Sequence, residues 1–235
     1  CGGASVPEEL ITLARNNLPN TFTSPLWGMT ECGGVTTCPF DAPVKKRYTT
    51  DGKPYESMEL KITDEAGSTL PVGQSGELMV RGPMVAKGYF GQPKLTAEYF
   101  LSDGFFRSGD QARMDEDGYI KITGRIKDLI IRGGVNISPL EIDNVVLQMP
   151  DVADVATIGV PDEIYGEQVI VYIQPKEGRW VTPDAVLALV EALKDAISGW
   201  AGGACTWIVG ACIALGMAAA SATSGGAPAA SSTST

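Results

Sequence analysis

Apolar residues recur along this chain with two different periods. From about residue 44 to 124 they alternate with polar ones in short runs. Glu59-Leu60-Lys61-Ile62-Thr63 alternates, Asp64-Glu65-Ala66-Gly67 turns, and Gly76-Glu77-Leu78-Met79-Val80-Arg81 alternates again. A period of two sets successive side chains on opposite faces of a strand. Asp117-Gly118 is a hairpin signal leading into Tyr119-Ile120-Lys121-Ile122-Thr123. Strands so short and so closely punctuated predict a small β-barrel-like subdomain.

A helical period appears on either side. Pro7 to Leu18 reads as a helix, with Pro7 in its first turn, Glu8 and Glu9 at the positive end of its dipole, and an apolar face of Leu10, Ile11, Leu13, Ala14 and Leu18. Residues 128 to 178 read as a compact α+β unit. Leu129-Ile130-Ile131 and Val135-Asn136-Ile137 are strands around an Arg132-Gly133-Gly134 turn. Ser138-Pro139-Leu140-Glu141 has the form of a capping box, opening a helix that buries Leu140, Ile142, Val145, Val146 and Met149 and stops at Pro150. Two apolar strands follow, Val152–Val160 and Gln168–Gln174, and a last helix opens at Thr182-Pro183-Asp184 and runs to about Ile197. The fold class is mixed α/β and α+β.

Charge sharpens this division. The last charged residue is Asp195, and the final 40 residues are uncharged and rich in Ala, Gly, Ser and Thr. That shift marks a boundary near residue 199. A frameshifted or artificial end, a disordered tail and a membrane segment over 199–222 compete as readings of it, the last being the weakest for want of Lys or Arg anchors. The net charge of −10 argues against a nucleic-acid partner. Lys45-Lys46-Arg47 is the only basic run, read as a solvated loop face rather than a phosphate or coenzyme A contact.

Five scattered cysteines form no Cys-x-x-Cys pair and histidine is absent, so a zinc site and a histidine-based triad are excluded. Such a cysteine set fits a reducing, cytoplasmic compartment. The sequence opens at Cys1-Gly2-Gly3 without a basic-then-apolar run, and this start reads as the middle of a longer protein.

Three blocks carry chemistry. Trp27-Gly28-Met29-Thr30-Glu31 joins a stacking face, a close-approach glycine, a hydroxyl and a carboxylate able to hold Mg²⁺. Phe106-Arg107-Ser108-Gly109-Asp110 ends in a carboxylate, and Gly124-Arg125-Ile126-Lys127-Asp128 carries a guanidinium suited to ribose or phosphate oxygens. In isolation these are a capped turn, a turn or helix cap and a surface charge cluster as readily as a site.

In this order and spacing, and with Asp128-Leu129-Ile130-Ile131-Arg132-Gly133-Gly134 following, the blocks resemble the adenylate-forming enzymes, and their acyl-CoA synthetases in particular. The resemblance covers roughly residues 1 to 178. It implies a division into residues 1–124, the end of a large AMP-binding domain, 125–198, an incomplete small domain, and the tail 199–235. It implies that Trp27 packs on adenine, Thr30 contacts the α-phosphate and Glu31 binds Mg²⁺, with Thr30 and Glu31 the catalytic pair. Gly2, Gly3 and Ala4 match the loop lining the adenine and acyl pocket, and Gly3, Ala4, Gly28 and Ile122 join the nucleotide set. Cys32, Gly33 and Gly34 match the loop beside the acyl group. Asp110 takes the ribose hydroxyls, Arg125 contacts the ribose, and Lys127 is the hinge about which the small domain turns. Gly133 and Gly134 line the pantetheine tunnel, where a side chain would block the thiol.

The implied reaction joins a carboxylic acid, ATP and coenzyme A through an acyl-adenylate, giving acyl-CoA, AMP and pyrophosphate. It requires a Ser/Thr/Gly-rich phosphate loop and a lysine in a Gly-Lys context near the C-terminus, and these 235 residues contain neither. The expectation is an acyl-CoA ligase fragment, inactive as given. The alternatives are a non-catalytic interaction module and another adenylate-forming branch, such as a peptide-synthetase adenylation domain or a luciferase-like member.

Overall fold

The computed structural model describes Gly2 and residues 8–18, 20–192 and 213–215. In chain order they form α1 (Glu8–Asn17), β1 (Gly28–Met29), β2 (Gly33–Gly34), β3 (Thr36–Thr37), α2 (Val44–Thr49), β4 (Lys53–Pro54), β5 (Glu59–Thr63) and β6 (Ser75–Arg81). Next come α3 (Pro93–Tyr99), β7 (Phe106–Met114), β8 (Ile120–Arg125) and a 3₁₀ turn (Ile126–Asp128). The remainder is β9 (Ile130–Arg132), β10 (Val135–Ile137), α4 (Pro139–Val146), β11 (Val152–Asp162), β12 (Gly166–Pro175), α5 (Pro183–Ala192) and β13 (Ile213–Leu215).

Strands β5 to β8 make a four-stranded antiparallel sheet in sequence order. Ile62, Leu78, Val80, Ala112 and Ile120 form its core with Trp27, Cys32, Val35 and Met58. The sheet is open, which corrects the barrel-like expectation: β5 and β8 are its two edges and do not pair. Four twisted strands do not curl far enough for their edges to meet, since small barrels close at about five to eight.

The second sheet has the order β10-β9-β12-β11, with β13 parallel to β12 on its other side. Its β11–β12 hairpin is paired from Asp154↔Gln174 to Asp162↔Gly166. Ile142, Val145 and Val146 of α4 and Val186 of α5 pack with Ile130, Val171 and Ile173 of the sheet. Gly133 and Gly134 sit between Arg132 and Val135 with φ of +57° and +81°. Two positive φ values define the mirror-image hairpin turn whose twist matches the flanking strands.

Several expectations are revised. Ile11 of α1 is buried, but Leu13 and Leu18 are exposed, so the predicted apolar face is covered only in part. Lys45-Lys46-Arg47 stands on α2, not a loop: Lys46 reaches Asp115 at 2.5 Å and Asp117 at 2.9 Å, and Arg47 lies over the Phe22 ring. Pro139 does open α4, but the Ser138 side chain makes no cap bond to it, because its hydroxyl is donated to the Thr123 carbonyl. The helix ends at Val146, before Pro150, and Leu140 and Met149 are half-buried. The last helix is described to Ala192, so its expected end at Ile197 lies outside the described residues, as does the tail apart from β13. No described helix is long and apolar enough to cross a membrane.

Candidate active site

Strands β7 and β8 pair in a register that sets Asp110 opposite Arg125. The Arg125 Nε stands 3.2 Å from Asp110 Oδ1, and Trp27 Nε1 donates to Oδ2 at 2.8 Å. The Asp110 backbone N–H is held by Ser108 Oγ at 3.1 Å, and that hydroxyl donates to the Leu78 carbonyl at 2.6 Å. The carboxylate is therefore fixed from the sheet, the indole and the guanidinium together. Burial pushes the Asp110 pKa up, and the Trp27 and Arg125 contacts work against that rise.

These residues open onto a cleft of about 550 Å³ between the two sheets. One wall is Trp27, Gly28, Asp110, Ile122 and Arg125. The facing wall comes from α4 and β11, with an apolar shelf of Pro139, Leu140 and Ile158 beside Asp143 and Thr157. Burial pushes the Asp143 pKa up, and its contacts with the Thr157 side chain and backbone work against that rise. A flat aromatic, a paired carboxylate and guanidinium, and an apolar shelf are the features that hold a nucleoside: ring on the apolar surfaces, hydroxyls on the carboxylate.

Thr30 and Glu31 lie in the turn between β1 and β2, which Cys32 closes by donating its N–H to the Met29 carbonyl at 3.1 Å. Thr30 is exposed. Tyr89 donates its hydroxyl to Glu31 Oε1 at 2.9 Å, and its pKa is pushed up to about 12, first by burial and then by that carboxylate. No cluster of three or more metal-ligating side chains occurs among the described residues. Glu31 offers a carboxylate, an oxygen donor of the kind a hard cation takes together with waters and substrate phosphates. Cys32 is fully buried, and burial pushes its thiol up to about 11.

The structure thus brings Trp27, Gly28, Asp110, Ile122 and Arg125 to one cleft. Thr30, Glu31, Cys32, Gly33, Gly34, Gly133 and Gly134 do not line it. Lys127 is exposed in the 3₁₀ turn just beyond β8. Gly3 and Ala4 lie outside the described residues, while a Cβ on Gly2 would meet the Leu26 carbonyl at 2.5 Å. Asp51 was not expected in the cleft. It accepts the Ile122 N–H at 2.9 Å and pairs with Lys121 at 3.5 Å. In sequence Asp51-Gly52 carries only a turn signal.

Two family models match the chain: AMP-binding enzyme over residues 1–90 and AMP-binding enzyme C-terminal domain over residues 141–205. The medium-chain fatty-acid–CoA ligase of Escherichia coli (strain K12) is 39% identical over 173 residues, which is 74% of this chain and 30% of that protein. Among solved structures, ATP-bound MatB from Rhodopseudomonas palustris aligns with a TM-score of 0.74 at 34% identity, covering 81% of this chain and 38% of that one. The amide bond synthetase McbA from Marinactinospora thermotolerans aligns equally well, with a TM-score of 0.74 at 33% identity, covering 81% and 38%. The chain therefore spans about a third of the length of the relatives it matches. Both family models fall on it in N-to-C order, and the same fold extends over four-fifths of its length; the chain belongs to the AMP-binding, adenylate-forming enzymes.

Proposed function

We propose that this chain is the cleft-forming C-terminal part of an ATP-dependent acyl-CoA ligase. Residues 1–124 would end the large domain, 125–198 would form the small domain, and 199–235 would be a tail. The observation that carries the reading is the Asp110 carboxylate, held by Trp27 and Arg125 at the edge of a nucleoside-sized cleft. Asp110 accepts the ribose hydroxyls, Arg125 keeps that carboxylate charged and adds a donor, and Trp27 gives its face to adenine. Glu31 holds Mg²⁺, which when bound neutralises phosphate charge, and Thr30 beside it donates to the α-phosphate. Cys32, Gly33 and Gly34 flank the acyl group. Lys127 is the hinge, and the Gly133-Gly134 turn accommodates the pantetheine arm of coenzyme A. Free, buried Cys32 and Cys38 accord with a reducing, cytoplasmic compartment.

The test has two arms. Calorimetric titration with AMP should give binding that Asp110→Ala abolishes. Pyrophosphate release should be absent with any carboxylate tried, because no phosphate loop lies in these residues. Release by purified wild type that vanishes in Asp110→Ala would overturn the inactive-fragment reading, and AMP binding indifferent to Asp110 would overturn the site. The likeness to an amide bond synthetase gives a second reading, another adenylate-forming branch. It shares the AMP arm and differs in the acceptor, an amine in place of a thiol.

A further inference from the structure

Ser138 occupies the N-cap of α4 with extended backbone angles, φ −84° and ψ 118°, yet its side chain caps nothing in that helix. It is 1% exposed. Its hydroxyl is donated instead to the carbonyl of Thr123, on β8, across the hinge segment. The next residue, Gly124, is shaped for this contact: a Cβ there would stand 2.5 Å from Ser138 Oγ and 3.4 Å from Ser138 Cβ. Gly124 has no positive φ, so its backbone does not demand glycine. What demands it is the approach of the serine. Arg125 follows directly, paired to Asp110, and Lys127 two residues later begins to leave the sheet.

We infer that Ser138 is an interdomain latch and a positioning residue for Arg125. An N-cap hydroxyl ordinarily accepts a backbone N–H of its own helix. Here the helix forgoes that bond, and the hydroxyl ties α4, which packs on the five-stranded sheet, to the last strand of the four-stranded sheet. The tie fixes Thr123 and Gly124, and through them holds the Arg125 backbone where its guanidinium meets Asp110. One hydrogen bond is weak enough to release, so the latch favours the observed pose without freezing it. The turn about Lys127 that such release would permit rests on the ligase reading above, but the latch itself does not.

Limited trypsin digestion of the full 235-residue chain tests it without any ligand. The Arg125–Ile126 bond reports the hinge, since the Arg125 side chain is 59% exposed. The Arg113–Met114 bond, inside the paired strand β7, reports global opening. Ser138→Ala and Gly124→Ala should each speed cleavage after Arg125 by about three- to tenfold, as expected for one lost hydrogen bond. Cleavage after Arg113 should be unchanged, and the double variant should be no faster than either single one. Ser138→Asp separates latch from cap: aspartate caps well but, ionised, donates no hydrogen, so it should behave like alanine. Wild-type hinge cleavage in Ser138→Asp, or equal acceleration at both bonds in Ser138→Ala, would overturn the inference. So would no change at Arg125 in either single variant. Failure of AMP binding alone would overturn the ligase reading and leave the latch standing.

Discussion

Trp27 donates its indole N–H to Asp110, 83 residues away in sequence, at 2.8 Å. The bond joins the turn after α1 to the middle of the open sheet. It also orients the one buried carboxylate that faces both Arg125 and the cleft. A ligand hydroxyl reaching Asp110 therefore meets a group whose position is already fixed, and little ordering remains to be done on binding.

Asp110→Asn should weaken AMP binding by about ten- to a hundredfold, the loss expected for hydrogen bonds to a charged acceptor. It should also shift the emission of Trp27, whose N–H loses its carboxylate. Burial raises the Asp110 pKa, so wild-type binding should begin to fall, as the acid protonates, at a higher pH than an ordinary aspartate would give. Titrations from neutral pH downward should show that acid limb in wild type and not in Asp110→Asn.

The thiols offer a second check. Cys32 is completely buried and its pKa is pushed up to about 11, while Cys38 is 2% exposed. Neither should react with iodoacetamide at pH 8 in the native protein, and both should label once urea unfolds it. Peptide mass spectrometry after timed labelling reads this directly. Labelling of Cys32 at the rate of a free peptide thiol would mean that the turn from Met29 to Cys32 is open in solution.

Two glycines should fail for different reasons. A Cβ on Gly28 would lie 2.1 Å from the Gly33 carbonyl oxygen, across the β1–β2 pair, and backbone cannot yield there. Gly28→Ala should cost about 3 kcal/mol and separate the two short strands. Gly134 has open space around it but a φ of +81°, so Gly134→Ala should cost only about 1 kcal/mol, from the left-handed backbone. Thermal melts of the two variants give the ranking, and Gly134→Ala as the more damaging change would contradict it.

Elements whose pattern is local were legible in the sequence, and the others were not. The β5–β6 and β9–β10 hairpins announce themselves by alternation and turn residues. Strand β7 does not, although its burial alternates: Phe106, Ser108, Asp110 and Ala112 point inward. Two of those four are polar because one anchors the other's backbone and the other serves the cleft, so hydropathy misses the period. Helix α2 buries no residue of its own and is held by Lys46 on a hairpin 69 residues further on. The capping-box motif at Ser138 and Glu141 was misleading because its hydroxyl has a tertiary partner. In the cleft, Trp27, Asp110 and Arg125 were found through their blocks. Asp51, Asp143 and Thr157 stand in no such block, and only folding brings them to the same space.

Asp143 yields the prediction with the clearest sign. It is half-buried on α4 beside Thr157, and burial raises its carboxyl pKa in the folded state against the Thr157 contacts. The folded protein therefore binds this proton more tightly than the unfolded chain does. Stability from this group is greatest at low pH and is lost as pH rises from the ordinary aspartate value of 3.8 through the raised folded value. Above that window the ionised group is a constant penalty. Asp143→Asn removes the charge while keeping the shape, and its amide can still bond the Thr157 side chain. It should raise stability at pH 7 by about 1 kcal/mol, with the gain shrinking as pH falls toward 4. Other carboxylates act the opposite way: Asp103, Asp115 and Asp162 have lowered pKa values. The quantity to follow is thus the difference between wild-type and variant urea midpoints at each pH. A difference that is constant from pH 4 to 7, or that favours wild type at pH 7, would mean that the Thr157 contacts outweigh burial and the Asp143 pKa is not raised.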